Sequence, residues 1–374
     1  MRKLKQKELS PWMKMIESED ENMSLENLRK KINALDSKLV VILNERAKIS
    51  KKIGEKKAKD NKGIYSPSRE KQVLKRIRDL NKGPLSVEAF EAIYREIMSS
   101  SLAIEKMSSV AHLGTEGSYT YTAAMKHFGS LVNYQPCGSI SEVFQKVEHN
   151  DCDYGVVPIE NSTEGVVTYT VDLLVDSELK ICSQRLLKIS HALMSKGSMK
   201  SIKKVYSNPQ VFGQCRNWLA VNLPKADPIW VASTTEAAKI AAEKKDSAAI
   251  ASIESAKIYK LPVLKSNIQD IAHNTTRFLI IAKEDAAPTG NDKTSILFSI
   301  KDKMGALHDM LVPFCKNKIN LTRIESRPSK KRAWDYYFFV DFQGHRQDKN
   351  VMIALDQLEK MCKYLKVLGS YPIL

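Results

Sequence analysis

Apolar residues recur at Leu25, Leu28, Ile32, Leu35, Leu39, Ile42, Ile49 and Ile53, in steps of three and four with no proline between them. This heptad-like stripe predicts one amphipathic helix of about eight turns, capped by Ser24. Pro67 opens a second helix with Val73, Leu74, Ile77 and Leu80 at helical spacing, and Asn81-Lys82-Gly83-Pro84 stops it. Ser86 then caps a third, which carries Phe90, Ile93, Ile97, Leu102 and Ile104. The first helix is too long to be covered by the other two, so the pattern predicts an all-α domain that pairs with a second copy.

From Val110 the pattern changes to short β-rich runs between helices: Tyr154-Gly155-Val156-Val157, Lys204-Val205-Tyr206, Ala248–Ala251 and Arg277–Ile281. The alternation predicts a largely parallel sheet covered on both faces. Ser139-x-x-Glu142 and Ser233-x-x-Glu236 are capping boxes, and each precedes an apolar run that ends in Ile-Glu, at Ile159-Glu160 and Ile253-Glu254. The spacing is the same in both copies, which predicts two equivalent α/β lobes with a ligand cleft between them. After a polar linker, Glu284 to Lys293, the order is strand 294–300, helix 305–317, strand 319–326, strand 333–342, helix 349–363 and strand 365–370. That βαββαβ order predicts an α+β ferredoxin-like domain. The expected division is a polar extension 1–22 with no assigned function, then an all-helical domain 23–107, a two-lobed α/β domain 108–284 and a C-terminal domain 292–374.

A length of 374 residues suits two or three domains, and 43% hydrophobic with 27% charged residues is an ordinary soluble composition. No apolar run reaches the ~18 residues that a membrane span needs, and no secretory signal opens the chain. Cys137, Cys152, Cys182, Cys215, Cys315 and Cys362 are scattered, with no CxxC pair and no histidine cluster. This predicts reduced, buried thiols in a cytoplasmic protein, with neither metal nor cofactor. The net charge of +16 points to anionic partners. No nucleic-acid-binding pattern accompanies it, and lysines spread along the whole length read as solvated surface.

Arg46 breaks the apolar stripe, either as a register-setting defect or as a charge aimed at an anion. At a helical rise of about 1.5 Å per residue, Arg46 and Lys57 stand roughly 16 Å apart on nearly one face, close enough for both to reach one small ligand. Arg29, roughly 25 Å from Arg46, cannot reach that ligand and must enter from a partner chain if it contributes. Three polar stretches fall at expected strand ends: Gly114-Thr115-Glu116-Gly117-Ser118, Pro158-Ile159-Glu160-Asn161-Ser162-Thr163-Glu164-Gly165 and Asn274-Thr275-Thr276-Arg277-Phe278. Turn and capping chemistry accounts for such residues as readily as ligand binding does. Gly305 opens a helix whose first N–H groups can receive a carboxylate.

Taken together, these motifs carry a family resemblance. The PIENS-like stretch at 158–162 and Thr276-Arg277-Phe278 are similar to prephenate dehydratase motifs. Gly305-Ala306-Leu307 and Glu325-Ser326-Arg327-Pro328 resemble the GAL and ESRP motifs of its attached ACT-type regulatory domain. Leu28 to Asp36 with Glu45-Arg46 resembles the first helix of the all-helical chorismate mutases. Over residues 23–374 the chain therefore resembles bifunctional chorismate mutase/prephenate dehydratases. The resemblance implies a periplasmic-binding-protein-like dehydratase domain and conversion of chorismate through prephenate to phenylpyruvate, with feedback inhibition by phenylalanine. It implies a homodimer, or a tetramer of two such dimers.

For chorismate the resemblance implies Arg29, Arg46 and Arg69 on the carboxylates, Lys57 on the ether oxygen and Glu70 on the ring hydroxyl. Ser101 backs the pocket and Ser66 stands where some relatives carry an acid. Glu105 lies beside the ether oxygen, which an ionised carboxylate would repel, so it is expected to act protonated. For prephenate the implied set is Glu116, Glu160, Asn161, Ser162, Asn274, Thr275, Thr276, Arg277 and Phe278. Thr276 polarises the leaving hydroxyl, and Glu160 or Glu116 supplies a proton. Gly305 to Leu307 and Glu325 to Pro328 are the implied phenylalanine site. Asn208 replaces the histidine usual in the Ser-His-Pro-Gln motif. Three rivals remain open at this point: an arogenate-preferring dehydratase, a non-catalytic amino-acid-binding regulator and, on the charge alone, a nucleic-acid-binding regulator.

Overall fold

The computed structural model describes residues 24–59, 65–105, 107–300, 304–328 and 336–373. The N-terminal extension 1–22 and the first residues of the strand expected at 333–342 lie outside them. Contacts divide the chain into two units, one ending at Lys62 and one starting at Gly63.

The first unit is described by α1 (Leu25–Lys59), unbroken over 35 residues, with Glu26 in its first turn and Lys56, Lys57 and Lys59 in its last. These charges complement the helix dipole. Its apolar stripe is uncovered, with Leu35, Ile42 and Ile49 each about 60% exposed. Asn27 N–H donates to the Ser24 hydroxyl at 3.4 Å, the cap read from the sequence.

The second unit begins with α2 (Pro67–Leu80), capped by Ser66, and α3 (Val87–Glu105), which pack on each other. The next elements are β1 (Ser109–Leu113), α4 (Tyr119–Phe128), β2 (Asn133–Cys137), α5 (Ile140–Glu148) and β3 (Tyr154–Asn161). β1 runs parallel to both β2 and β3. β4 (Gly165–Val166), α6 (Thr168–Asp176) and β5 (Lys180–Lys188) complete the contiguous part of this first lobe.

The second lobe starts with β6 (Ala192–Met194), β7 (Lys204–Ser207), α7 (Pro209–Gln214), α8 (Arg216–Asn222) and β8 (Asp227–Trp230). It ends with α9 (Thr234–Ala241), β9 (Ser247–Ala251), α10 (Ile253–Ile258) and β10 (Val263–Lys265). Here β7 is parallel to both β8 and β9, so the order β8-β7-β9 repeats β2-β1-β3 of the first lobe. The two capping boxes open equivalent helices: Ser139 and Ser233 accept from Glu142 and Glu236 N–H. The echo is therefore real in topology. Its Ile-Glu ends differ, because Ile159-Glu160 closes β3 while Ile253-Glu254 opens α10.

β11 (Thr275–Ala282) returns to the first lobe between β3 and β5, antiparallel to both. The largely parallel sheet expected from the pattern is thus mixed. A strand that re-enters after an inserted lobe arrives from the opposite end, and β6 and β10 are antiparallel in the second sheet as well.

The C-terminal domain orders β12 (Asp292–Ser299), α11 (Ala306–Lys316), β13 (Leu321–Pro328), β14 (Tyr336–Gln343), α12 (Lys349–Met361) and β15 (Tyr364–Pro372) into an antiparallel sheet β13-β14-β12-β15. One face, with Ile296, Phe298, Val340 and Phe342, packs on α11 and α12. The other, with Leu297, Phe339, Leu368 and Tyr371, shares a core with Ile181, Leu279 and Ile281 of the first lobe. Approach there is so close that a Cβ on Gly369 would lie 2.2 Å from the Ile181 carbonyl oxygen. Cys137, Cys152, Cys182 and Cys215 are buried free thiols as expected, whereas Cys315 is exposed.

Candidate functional site

β3 and β11 end side by side, with Asn161 opposite Thr276. Asn161 Nδ2 donates to Thr276 Oγ1 at 2.7 Å and to Asn274 Oδ1 at 2.6 Å. Its Oδ1 accepts from the N–H groups of Thr163 and Glu164 at 2.9 and 3.1 Å, and from the Thr163 hydroxyl at 2.6 Å. The two backbone donors fix which end of the amide is oxygen. Asn161 is therefore saturated and orients Thr276, a different part from the ligand contact expected of it. Thr276, having accepted from Asn161, keeps its own proton for another acceptor.

The buried Asn274 carries the network to the second lobe. Its Nδ2 donates to Gln214 Oε1 at 3.2 Å, and Gln214 Nε2 donates to Glu164 Oε1 at 3.0 Å. His191 Nε2 lies 2.7 Å from Gln214 Oε1, and His191 Nδ1 lies 2.8 Å from the Tyr119 hydroxyl. Burial lowers the His191 pKa and pushes that of Tyr119 well above its usual value, so both are uncharged at neutral pH. The cluster Asn161, Asn274, Thr276, Gln214, His191 and Tyr119 is thus built from uncharged side chains, with the exposed Glu164 carboxyl group bonded to its edge through Gln214. It can polarise a leaving hydroxyl without stabilising a carboxylate that must depart. The lobes close over it: Thr115 donates to the Thr235 hydroxyl at 2.8 Å, and Ser252 and Ser255 donate to the Gly117 carbonyl at 2.8 and 3.1 Å. Gly117, at φ +87°, leaves no room for a side chain, since a Cβ would meet Ser255 Oγ at 3.0 Å.

Sequence reasoning missed Gln214, His191 and Tyr119, which chain separation hides. The available signal was a polar His191 at the point where the chain passes between lobes. Asn208, in the histidine's place, caps α7 by accepting from Gln210 N–H at 2.9 Å. Ser162 and Thr275 fasten the strand ends, with Thr275 N–H donating to Ser162 Oγ at 2.9 Å and that hydroxyl donating to the His273 carbonyl at 3.1 Å. Glu116 stays exposed on the 114–118 loop.

Three expected members of the set belong elsewhere. Alternation along β11 turns Thr276, Phe278 and Ile280 to one face and Arg277, Leu279 and Ile281 to the other. Phe278 is a core residue, packed with Val110, Ala123 and Phe128. Arg277 is buried against the C-terminal domain, its Nη1 2.6 Å from Asp341 Oδ2. Glu160 is the direct cross-strand partner of Arg277 and so lies on the same side. There Glu160 lies 2.8 Å from Arg323 Nε and 3.5 Å from Arg277 Nη1. Neither Arg277 nor Glu160 faces Thr276, which removes Glu160 as its proton donor.

Of the expected chorismate residues, Arg29, Arg46 and Lys57 lie on the unbroken α1, where the helical spacing holds. In the second unit, the Ser66 hydroxyl is the α2 N-cap, accepting from Arg69 N–H, while Arg69 itself is exposed. Ser101 is buried and donates to the Ile97 carbonyl at 2.8 Å, and Glu105 is half-buried at the end of α3. Glu70 departs from its expected role. It accepts from the Tyr65 hydroxyl at 2.7 Å, and His127 Nε2 of the first lobe lies 2.8 Å from that same hydroxyl. This buried seam raises the Glu70 pKa, and burial, with Arg185 and Arg95 nearby, lowers that of His127 from 6.5 to about 3.

The unfolded chain therefore takes up the His127 proton first, and this residue's contribution to stability is lost as pH falls from 6.5 toward about 3. Glu70 acts in the opposite sense, being protonated more readily when folded. Thermal unfolding across this range is expected to show a shallower acid-side loss for His127→Gln than for the parent chain. Equal slopes would contradict the assignment.

In the C-terminal domain Gly305 takes a left-handed conformation (φ +74°) ahead of α11, Ala306 is buried and Leu307 half-exposed. The Glu325–Pro328 motif divides between faces of β13. Ser326 and Pro328 pair with Phe338 and Tyr336, while Glu325 and Arg327 pair with Phe339 and Tyr337 on the first-lobe side. Arg327 Nη2 lies 3.3 Å from Asp172 of α6. It thus makes an inter-domain contact.

Three family models match the chain in succession: Chorismate mutase type II over residues 28–106, Prephenate dehydratase over 110–286 and ACT domain over 294–360. A bifunctional chorismate mutase/prephenate dehydratase of Aquifex aeolicus is 48% identical over 353 residues, covering 93% of this chain and 98% of that protein. One from Pseudomonas aeruginosa is 43% identical, covering 93% and 97%. The solved prephenate dehydratase of Arthrobacter aurescens, in complex with L-Phe, superposes with a TM-score of 0.66 at 32% identity, covering 71% of this chain and 90% of its own. The chain belongs to the bifunctional chorismate mutase/prephenate dehydratase family.

Proposed function

We infer that this chain rearranges chorismate to prephenate, dehydrates and decarboxylates prephenate to phenylpyruvate, and is inhibited by phenylalanine. The observation that carries the reading is the Thr276 hydroxyl, aimed by Asn161 within a cluster of uncharged polar side chains where the lobes meet. In the second reaction hydroxide and carbon dioxide leave together as the ring aromatises. Thr276 donates to the leaving hydroxyl, and Glu116, the other acid that the resemblance offers beside Glu160, is assigned to supply its proton. Lobe closure through Gly117, Thr115 and Gln214 excludes water and fixes the ring.

The first reaction is pericyclic and needs no nucleophile; it needs a compact conformer and a donor at the breaking ether oxygen. Lys57 is assigned that oxygen and Arg46 a carboxylate, with Arg29 of the partner subunit on the other. By resemblance Arg69, Ser101 and Glu105 support the substrate. The exposed apolar stripe of α1 supports a homodimer, burying surface that one chain leaves in water. No described helix is long and apolar enough to cross a membrane, and a cytoplasmic location is consistent with the free thiols. Domain limits of 23–107, 108–284 and 292–374 fit these roles, with Gly305 to Leu307 and Ser326 as the phenylalanine contacts.

Incubating purified protein with chorismate is expected to yield prephenate and then phenylpyruvate, with the second product suppressed by phenylalanine. Arogenate offered in parallel is expected to turn over more slowly than prephenate. Absence of both products would end the reading, and faster turnover of arogenate would change the substrate.

A further inference from the structure

We infer that Arg277 is a positioning residue through which the C-terminal domain sets Thr276, a role that rests on the dehydratase reading above. Arg277 follows Thr276 in β11 and points to the opposite face, so any rotation of the strand end moves both. Its guanidinium is buried and held by three hydrogen bonds: Nε donates to Gln184 of β5 at 2.8 Å, Nη1 to Asp341 of β14 at 2.6 Å and Nη2 to Tyr371 of β15 at 2.8 Å.

The last two bonds belong to a closed ring whose donor order is forced. Arginine only donates and a carboxylate only accepts. Tyr371, having accepted from Arg277, must pass its proton to Ser295 Oγ at 2.6 Å, and Ser295 donates to the other Asp341 oxygen at 2.5 Å. Arg277, Asp341, Ser295 and Tyr371 are all at most 4% exposed, so the ring sits in low dielectric where each bond strengthens its neighbours. A lysine lacks the planar fork that reaches two acceptors and Gln184 at once.

A second tie runs in parallel. Arg323 of β13, stacked 4.9 Å over the Phe339 ring, holds Glu160, which lies 3.5 Å from Arg277. Glu160 in turn precedes Asn161 in β3. Each of the two strands that form the Asn161–Thr276 pair therefore carries, one residue away, a group gripped by the C-terminal domain. β13 also contains Glu325 to Pro328, the motif expected at the effector site. A shift of β13 or β14 on binding an amino acid is transmitted to the donor geometry at Thr276 without crossing the cleft.

The test compares Tyr371→Phe with the parent chain by three readouts: phenylalanine binding by calorimetry, dehydratase inhibition, and amide hydrogen exchange of residues 275–282. In the parent, phenylalanine is expected to alter exchange in that strand. In Tyr371→Phe it is expected to bind within about threefold as tightly while its half-inhibiting concentration rises about tenfold or more and the exchange response disappears. A merely structural role would shift binding and inhibition together. Arg323→Gln, at a less buried position, gives the same comparison if Tyr371→Phe does not fold. Unchanged inhibition in a folded, phenylalanine-binding variant overturns the inference. So does a parent chain in which phenylalanine leaves exchange of 275–282 unaltered, whatever its activity. A parent chain without dehydratase activity overturns the functional reading instead, and the exchange comparison still decides the coupling.

Discussion

Thr276→Val is expected to lower dehydratase kcat by roughly 10²–10³-fold with little change in KM, the usual cost of removing one positioned donor at a transition state. Valine nearly matches threonine in volume, so the β3–β11 pairing survives, but the proton aimed at the leaving hydroxyl is gone. The substitution also strips Asn161 Nδ2 of one of its two acceptors, which keeps valine from being wholly silent in stability. Thr276→Ser restores the hydroxyl and is expected to recover most of the rate. Mutase activity measured on the same preparation serves as the control, since α1 belongs to a separate unit. Wild-type dehydratase rates in Thr276→Val would remove Thr276 from the chemistry and with it the central claim about the cleft.

The second large effect concerns the helix. Arg46→Ala and Arg29→Ala are each expected to lower mutase activity by about 10²–10³-fold, because each removes a cation from a substrate carboxylate. Dehydratase activity on supplied prephenate is expected to persist in both. If Arg29 serves the site of the neighbouring chain, mixing the two inactive proteins under subunit exchange regenerates one intact site per mixed dimer. Random exchange then restores roughly a quarter of the parent activity, by the arithmetic of an isologous pair. No recovery from well-exchanged subunits would place Arg29 outside the reaction.

How far the sequence reveals this molecule depends on whether a feature is local. The α1 stripe, the caps at Ser24, Ser139 and Ser233 and the βαββαβ order of the last domain are set by near neighbours along the chain, and all appear where expected. The sidedness of Glu160 and Arg277 is not local. Both lie in polar motifs beside Asn161 and Thr276; strand alternation turns them to the far face, and that the C-terminal domain covers this face is visible only in the folded chain. Gln214 and His191 reach Asn274 through closure of two lobes, a contact that no periodicity encodes. The resemblance makes Glu70 a ligand residue, yet the Tyr65 hydroxyl engages it and is itself bonded to His127, which comes from α4.

The placement of β11 has a bearing on how the chain is made. It is an interior strand of the first sheet, yet it follows the whole second lobe in the chain. As the polypeptide leaves the ribosome, β3 and β5 wait with open, unpaired edges while about ninety further residues are added, the condition that favours misassociation of nascent chains. The inserted lobe has all its own strands by Lys265 and can mature as a guest before its host is finished. Arrival of Thr275 to Ala282 then seals the host sheet and creates the reaction centre in one event, so a truncated nascent product would have neither.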